Sequence, residues 1–261
     1  MPKPAPLYKI ARKIRRAVLM DEPGYYDMFL NEGERFFARL YLHHIRQTIA
    51  VHPLNLLDAG CQTGRLAIPL AGDGHRVTGV DTSLLAVHKA RHHAKQAGVK
   101  LRLVRADMGS WMPKQPAGSF DAVVCTEVLY LRNNWRELLR GLIRLLKPGG
   151  LCFISHRPPA FYLAEATERQ DQEAVRTLIS GAGEGPVCGS YYNWQKRDDL
   201  RRIYAESGIQ VLKITPIWSL SRTLNPIKIP EEQRDRLFQE EISAPDDSGD
   251  GRYLLVCGRK R

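Results

Sequence analysis

Three aspartates follow short apolar runs in the first half of the sequence. Asp58 opens the turn DAGCQTG, which ends at Gly64, and Asp81 and Asp107 stand at the ends of the next two runs. A glycine-rich turn between a strand and a helix lets the backbone approach a ligand closely, beside the positive end of the helix. An acidic side chain at the end of the next strand is placed to accept hydrogen bonds from ribose hydroxyls. The spacing favours a nucleoside site, although a tight turn without a ligand would leave the same local pattern.

The elements that must position these residues alternate in type along the chain. Apolar runs typical of strands lie at 54–59, 76–81, 101–106, 120–125 and 151–155. Stretches of helical periodicity, such as 83–97 and 134–146, lie between them. This alternation predicts an α/β fold with a Rossmann-like, doubly wound, mostly parallel sheet of about seven strands. We also expect residues 253–258 and 209–218 to pair as an antiparallel hairpin at the sheet edge.

The remaining segments suggest how the chain is organised. Residues 1–50 are predicted to hold a basic helix and an aromatic-rich helical lid, and residues 51–261 the sheet domain with a substrate-side insertion at about 156–208. The aromatic residues of the lid segment are Tyr25, Tyr26, Phe29, Phe36, Phe37 and Tyr41. They have two interpretations, as a cover over the ligand or as core-facing positions of a helix.

Composition excludes some classes of protein. The chain has 261 residues and a formal net charge of +11, and it contains no apolar run of transmembrane length. The basic start lacks the apolar stretch and cleavage site of a secretory signal, and the five cysteines form no CxxC pair, so we predict a cytoplasmic protein. The histidine doublets at 43–44 and 92–93 have no cysteine or acidic partner at ligand spacing, and no metal site is predicted.

Residues 7–20 form a separate basic stretch in which apolar residues recur at helical spacing. Such a helix suits an anionic membrane surface, RNA phosphates, or packing on its own domain, and these alternatives stay open. Six of the positive charges fall within residues 1–20, which contain no acidic residue. The net charge alone is therefore weak support for a nucleic-acid partner.

Five segments between residues 54 and 156 resemble the motifs of the class I S-adenosylmethionine-dependent methyltransferases. In chain order they read LLDAGCQTGRLAIPLA, VTGVDTS, RADM, FDAVVCTEVLYL and LLKPGGLCFIS. A nicotinamide-dependent dehydrogenase could share the first two, but the last two are not expected in it. No NPPY-like tetrapeptide follows the fourth run, which argues against the enzymes that methylate DNA adenine or protein glutamine.

The resemblance implies S-adenosyl-L-methionine as the cofactor and assigns roles to individual residues. Asp81 would hold the ribose hydroxyls, Asp107 would accept from the adenine amino group, and Glu127 would face the methionyl part and the reaction centre. The full set of implied cofactor contacts is Asp58, Gly60, Cys61, Gln62, Gly64, Asp81, Thr82, Asp107, Met108 and Thr126. Gln62 departs from the family, because it replaces the middle glycine of the first motif, where a Cβ is expected to crowd the cofactor.

Methyl transfer from an activated sulfonium is an in-line displacement that depends mainly on positioning. A general base is needed only where the nucleophile must lose a proton. The candidates are His156, Glu127 and Tyr130, which follow the fourth and fifth strands at the edge where such sheets bind ligands. We predict transfer to a small, planar or apolar acceptor, because the segments outside the motifs are rich in aromatic residues. An RNA (tRNA or rRNA) methyltransferase and a non-catalytic cofactor-binding regulator remain the alternatives.

Overall fold

The computed structural model describes residues 27–50, 53–181, 183–219, 230–245 and 249–261. The predicted basic helix at 7–20 and the lid residues Tyr25 and Tyr26 lie outside these ranges. No helix in the described part of the chain is long and apolar enough to cross a bilayer.

The strands form a seven-stranded sheet and a separate hairpin within the described residues. They are β1 (Asn55–Ala59), β2 (Arg76–Asp81), β3 (Arg102–Arg105), β4 (Phe120–Cys125), β5 (Leu146–His156), β6 (Glu184–Val187), β7 (Ser190–Asn193), β8 (Ile209–Ile217) and β9 (Tyr253–Lys260). The large sheet has the order β3-β2-β1-β4-β5-β9-β8, with β1 to β5 parallel and β9 antiparallel to both neighbours. The predicted fold class and antiparallel edge hairpin are confirmed.

Helices cover both faces of this sheet. They are α1 (Glu32–Thr48), α2 (Ala67–Gly72), α3 (Leu84–Gln96), α4 (Met108–Trp111), α5 (Trp135–Leu145), α6 (Pro159–Glu168), α7 (Gln172–Ile179), α8 (Arg197–Glu206) and α9 (Glu231–Ser243). The stretch predicted as an insertion contains α6, α7, the β6–β7 hairpin and α8. The sequence gives no clear signal for α9, because its segment is mostly charged and has only a weak apolar pattern.

Side chains along β5 alternate between two apolar cores, because successive residues of a strand point to opposite faces. Phe153 packs in the core beneath α1, whereas Cys152 and Ile154 pack in the core beneath α5. The same alternation turns His156 toward α5 and Arg157 toward the aromatic core beneath α1. This choice of face decides which of the two can reach the site.

Helix α1 begins at a cap formed by Asn31, whose Oδ1 accepts a hydrogen bond from the Glu34 amide at 3.0 Å. Its aromatic residues Phe36, Phe37 and Tyr41 are buried in the core against β8 and β9. Of the two interpretations of these aromatics, the structure supports the core-facing one. The part of this segment that approaches the carboxyl edge of the sheet is the turn before α1.

Candidate active site

A cavity of about 270 Å³ opens at the carboxyl edge of the parallel strands. Its walls come from the turns that follow β1, β2, β3 and β4, together with the turn before α1. The lining residues are Met28, Gly60, Gln62, Arg65, Val80, Asp81, Thr82, Ala106, Asp107, Met108, Thr126, Glu127, Val128, Leu131 and Arg132. The sheet thus brings residues from four distant motifs together at one edge, as the sequence predicts.

The turn after β1 depends on glycine at its first position. Gly60 has φ +85°, a left-handed conformation that L side chains rarely adopt, and a Cβ there would collide with the Val128 side chain. The Gly60 and Cys61 amides both donate to the Val80 carbonyl oxygen, at 2.8 and 3.1 Å. These contacts fix the turn against the end of β2 and hold its backbone at the cavity wall.

Gln62 occupies the position where the related motif has a second glycine. It keeps a left-handed backbone, with φ +46°, which costs a residue with a Cβ roughly 1–2 kcal/mol. Its Oε1 accepts a hydrogen bond from the Thr63 amide at 2.6 Å, which offsets part of that cost. Gln62 also lines the cavity, so the departure from the family pattern lies at the ligand-binding wall.

Asp81 is oriented by two backbone donors. Its Oδ2 accepts from the Gln62 amide at 3.0 Å and its Oδ1 from the Ser83 amide at 2.8 Å. A carboxylate can accept about four hydrogen bonds, so both oxygens retain acceptor capacity toward the cavity. This arrangement suits a pair of ribose hydroxyls.

Asp107 caps α4 and forms an ion pair across the cavity mouth. Its Oδ1 accepts from the Gly109 and Ser110 amides, at 2.9 and 3.3 Å, and its Oδ2 lies 2.9 Å from Nη2 of Arg132. Partial burial opposes ionisation, but the hydrogen bond and charge of Arg132 outweigh it and lower the pKa of Asp107. Arg132 could not be predicted as a site residue, because nothing in its local sequence distinguishes it from other basic surface residues.

Three predicted contacts lie behind the cavity wall. Asp58 is buried, 3% exposed, and accepts a hydrogen bond from the Ala67 amide, and the Cys61 side chain packs in the core beside Gly79. Gly64 lies at the end of the turn, against the Ile68 side chain. The turn directs the Asp58 and Cys61 side chains into the protein, and direct cofactor contact by Asp58, Cys61 and Gly64 stays a prediction.

Glu127 lies at the opposite end of the cavity in a buried network. Its φ is +62°, an uncommon conformation for a residue with a side chain and one that clusters at functional sites. Its Oε1 accepts from Nη2 of Arg65 at 2.6 Å, and its Oε2 accepts from the Tyr253 hydroxyl at 2.6 Å. Burial opposes ionisation of Glu127, but the charge of Arg65 and these hydrogen bonds lower its pKa.

Arg65 joins the network to the N-terminal helix, because it also pairs with Glu34 of α1. Arg65 and Tyr253 come from the two ends of the domain, and sequence reasoning missed both. An apolar strand pattern around Tyr253 gives no signal that its hydroxyl reaches Glu127.

Tyr130 lies next to this network, outside the cavity lining. It is 8% exposed, and its hydroxyl accepts from Nη2 of Arg157 at 3.4 Å. The Tyr130 and Tyr253 rings lie 6.0 Å apart. Tyr130 therefore belongs to an aromatic layer beside the cavity.

His156 does not fit the predicted role of general base. It is fully buried, and its Nδ1 and Nε2 lie 3.0 Å from Gln195 Oε1 and 2.9 Å from the Tyr204 hydroxyl. Desolvation lowers its pKa to about 4, so the imidazole is neutral and fixed. The reason is strand alternation, which turns this side chain to the sheet face beneath α5, away from the cavity.

A doubly wound sheet with a cavity at its carboxyl edge is typical of α/β proteins that bind a nucleoside or a cofactor. Comparisons with known proteins indicate which kind of protein this chain resembles. Residues 56–150 match the family model described as "Methyltransferase domain". The ubiquinone biosynthesis O-methyltransferase of Dechloromonas aromatica is 34% identical over 126 residues, which cover 48% of this chain and 54% of that protein. The chain thus spans about half the length of the curated relatives it matches.

Solved structures resemble the chain over most of its length. The magnesium protoporphyrin IX methyltransferase of Synechocystis, crystallised with S-adenosylhomocysteine (SAH), has a TM-score of 0.59 at 17% identity and covers 97% of this chain and 94% of its own. The cyclase SpnF has a TM-score of 0.57 at 20% identity, covering 85% and 80%. Because a cyclase shares this fold, the fold by itself does not determine the reaction.

Residues 56–150 therefore match a methyltransferase domain, and the fold around them is shared with solved methyltransferase structures. The family match covers the first four sequence motifs and the LLKPGG part of the fifth. The resemblance drawn from the motifs is confirmed.

Proposed function

We propose that this protein transfers the methyl group of S-adenosylmethionine to a small-molecule acceptor. The observation that carries the proposal is the convergence of the Gly60 turn, Asp81, Asp107 and Thr126 on one cavity at the sheet edge. Two carboxylates with spare acceptor capacity at one end and an anionic residue at the other suit a cofactor with a nucleoside and a cationic amino-acid part.

Each end of the cavity suits one part of the cofactor. Asp81 accepts from the ribose hydroxyls, and Met108 and the Asp107 region receive the adenine. Glu127 and Thr126 face the methionyl part, where the ionised Glu127 carboxylate stabilises its positive charge. The bound cofactor supplies an activated methyl group, and the protein holds it in line with the acceptor.

The described side chains favour catalysis by positioning over proton abstraction. Glu127 has a lowered pKa and both of its oxygens are engaged, which makes it a weak base. Tyr130 lies in the aromatic layer beside the cavity, and His156 is remote from it. An acceptor that ionises readily fits this site best.

The acceptor enters along α6. A groove of about 1060 Å³ lies there, with a mixed apolar and charged lining: Ala160, Phe161, Leu163, Ala164, Glu165, Thr167, Glu168, Arg169 and Arg252. Pockets of roughly this size take small molecules. The similar proteins include a ubiquinone biosynthesis O-methyltransferase and a magnesium protoporphyrin IX methyltransferase, both enzymes of small molecules, which supports this choice.

RNA or membrane contact through residues 7–20 remains a prediction, because that segment lies outside the described residues. A cytoplasmic location is likewise inferred, and it is supported by five cysteines that are all free.

Calorimetric titration with SAH tests the cofactor site. Asp81→Ala removes the ribose acceptor, a charged hydrogen-bonding group worth about 1.5–3 kcal/mol, so we expect Kd to rise about 10- to 100-fold. Asp199→Ala serves as the control, because Asp199 pairs with Arg202 on the surface of α8. Equal SAH affinity of the Asp81 variant and the wild type would refute the site, and SAH binding without turnover of any acceptor would favour the regulatory alternative.

A further inference from the structure

Arg157, directly after β5, has a guanidinium enclosed by aromatic rings. Its side chain is buried, with the residue 6% exposed. The Cζ atom lies at 3.7, 4.2, 4.8 and 6.0 Å from the ring centroids of Phe161, Tyr253, Tyr130 and Tyr162. Such rings stabilise a cation through their faces, but they do not accept hydrogen bonds as an anion does.

Most of the hydrogen-bonding capacity of Arg157 is unused. Its Nη2 donates to the Tyr253 hydroxyl at 2.7 Å, whereas its buried Nε and Nη1 atoms have no partner among the described residues. A guanidinium carries five N–H donors and stays charged in proteins. Leaving such donors buried and unpaired is costly, so a group retained in this state has a reason beyond packing.

Arg157 lies in a cluster of charged groups but has no direct acidic partner. Glu34 interacts electrostatically with Arg65, Arg157 and Arg252 and with Glu127, and Arg65 also interacts with the Asp58 carboxyl. Among the described residues, the hydrogen bonds of the Arg157 guanidinium go to tyrosine hydroxyls and none goes to a carboxylate. Its charge is therefore available to a bound anion.

We propose that Arg157 binds an anionic group, such as a carboxylate, on a planar aromatic acceptor. This inference rests on the proposed function, because it specifies the acceptor of the same site. The aromatic walls pack against the ring, and the free N–H groups of Arg157 pair with the anion.

The position of Arg157 links this anion site to the reaction centre. Tyr253 receives a hydrogen bond from Arg157 and donates one to Glu127, which lines the cofactor cavity. On the other side, Phe161 contacts the guanidinium and also lines the groove along α6. The acceptor reaches Arg157 from this groove when the half-buried Phe161 ring turns aside.

Salicylate and salicylamide are matched probes, because they share a ring and hydroxyl and differ in one negative charge. We expect the wild type, saturated with SAH, to bind salicylate at least about tenfold more tightly in calorimetric titrations, as charge-assisted hydrogen bonds require. Arg157→Met should abolish the preference. Arg202→Met, which removes an exposed arginine of α8, should preserve it.

Thermal unfolding separates a binding role from a structural one. Without ligand, Arg157→Met should have a Tm equal to that of the wild type or a few degrees higher, because an unpaired buried cation is removed. A Tm several degrees lower would make Arg157 a structural residue and overturn the proposal. Absence of a salicylate preference in the wild type, or its persistence in Arg157→Met, would overturn it as well.

Titration with SAH keeps this result distinct from the proposed function. Arg157→Met should bind SAH within a few-fold of the wild type, because Arg157 reaches the cofactor cavity only through Tyr253 and Glu127. If no variant binds SAH but the salicylate preference is present and depends on Arg157, the anion site stands and the methyltransferase proposal fails.

Discussion

The acidic side chains at the carboxyl edge differ in their surroundings, and those surroundings decide what each can do. Asp81 and Asp107 lie on the cavity wall, where backbone donors orient them. Asp58 is sealed beneath the same turn, so water cannot solvate its charge. Asp58 is therefore a structural residue whose carboxyl group titrates, although it is close in sequence to the residues of the cavity wall.

We predict that Asp58 makes stability depend on pH. Burial raises its pKa from 3.8 to about 7, so the folded protein holds the proton more tightly than the unfolded chain. This stabilising contribution is complete below the unfolded pKa and is lost as pH rises through 7. Relative to Asp58→Asn, which cannot ionise, the wild type should lose about 3 kcal/mol between pH 5 and pH 8.

Urea unfolding of both proteins across this range measures the difference, and comparison with the Asn variant cancels the other titrating groups. A difference that does not change with pH would show that Asp58 is ionised or protonated throughout.

Among the elements, the turn before α1 is the one that ties the N-terminal segment to the site. The Asp27 carboxylate lies 2.9 Å from Nε2 of His93 on α3, and the Phe29 amide donates to the Thr63 hydroxyl at 3.0 Å. The Phe29 ring also stacks on His93, with centroids 4.7 Å apart. These contacts hold Met28 at the cavity, so the turn closes one side of the cofactor site.

Asp27→Ala is expected to loosen this closure. Loss of the buried hydrogen bond to His93 should lower the free energy of unfolding by about 1–3 kcal/mol. The affinity for SAH should fall several-fold, because Met28 is no longer held in place. Unfolding and calorimetric titration measure the two effects.

The matched control is Asp73→Ala, which removes a largely exposed ion pair with Arg46 of α1 and should cost less than about 1 kcal/mol. If Asp27→Ala destabilises the protein but leaves SAH affinity intact, the turn is structural and does not close the site.

For the whole molecule, the net charge and the dimensions of the site favour different kinds of binding partner. The net charge is +11, and residues 1–20 contribute six of the basic side chains. The cavity and groove, in contrast, have the dimensions of small-molecule sites. Any binding to polyanions should therefore be separable from cofactor binding.

Replacing the bases Lys3, Lys9, Arg12, Lys13, Arg15 and Arg16 with Gln tests this separation. We expect the variant to lose binding to bulk tRNA, which in the wild type should weaken steeply with salt because phosphate contacts release counterions. Its affinity for SAH should equal that of the wild type. Persistent tRNA binding in the variant would place the polyanion surface in the described domain and favour an RNA substrate.

Much of the fold could be predicted because its signals are local. Apolar runs alternating with helical periodicity indicated the strands β1 to β5 and their order of connection, and short glycine-rich turns marked where they end. The apolar run at 253–258 predicted a late strand, and its expected antiparallel pairing with β8 is confirmed. Helix α9 could not be predicted in this way, because its few apolar residues lie among many charged ones.

The sequence by itself determined the parallel sheet, the edge at which ligands bind, and the Gly60, Asp81 and Asp107 positions on it. Only the tertiary structure decided that Arg65, Glu127 and Tyr253 form one network, and that Arg157 and not His156 contacts it. The physical reason is that the hydrophobic periodicity of a strand or a helix is a local property of the sequence. The face a strand turns to its neighbours, and the contacts between distant segments, are fixed only when the whole sheet packs.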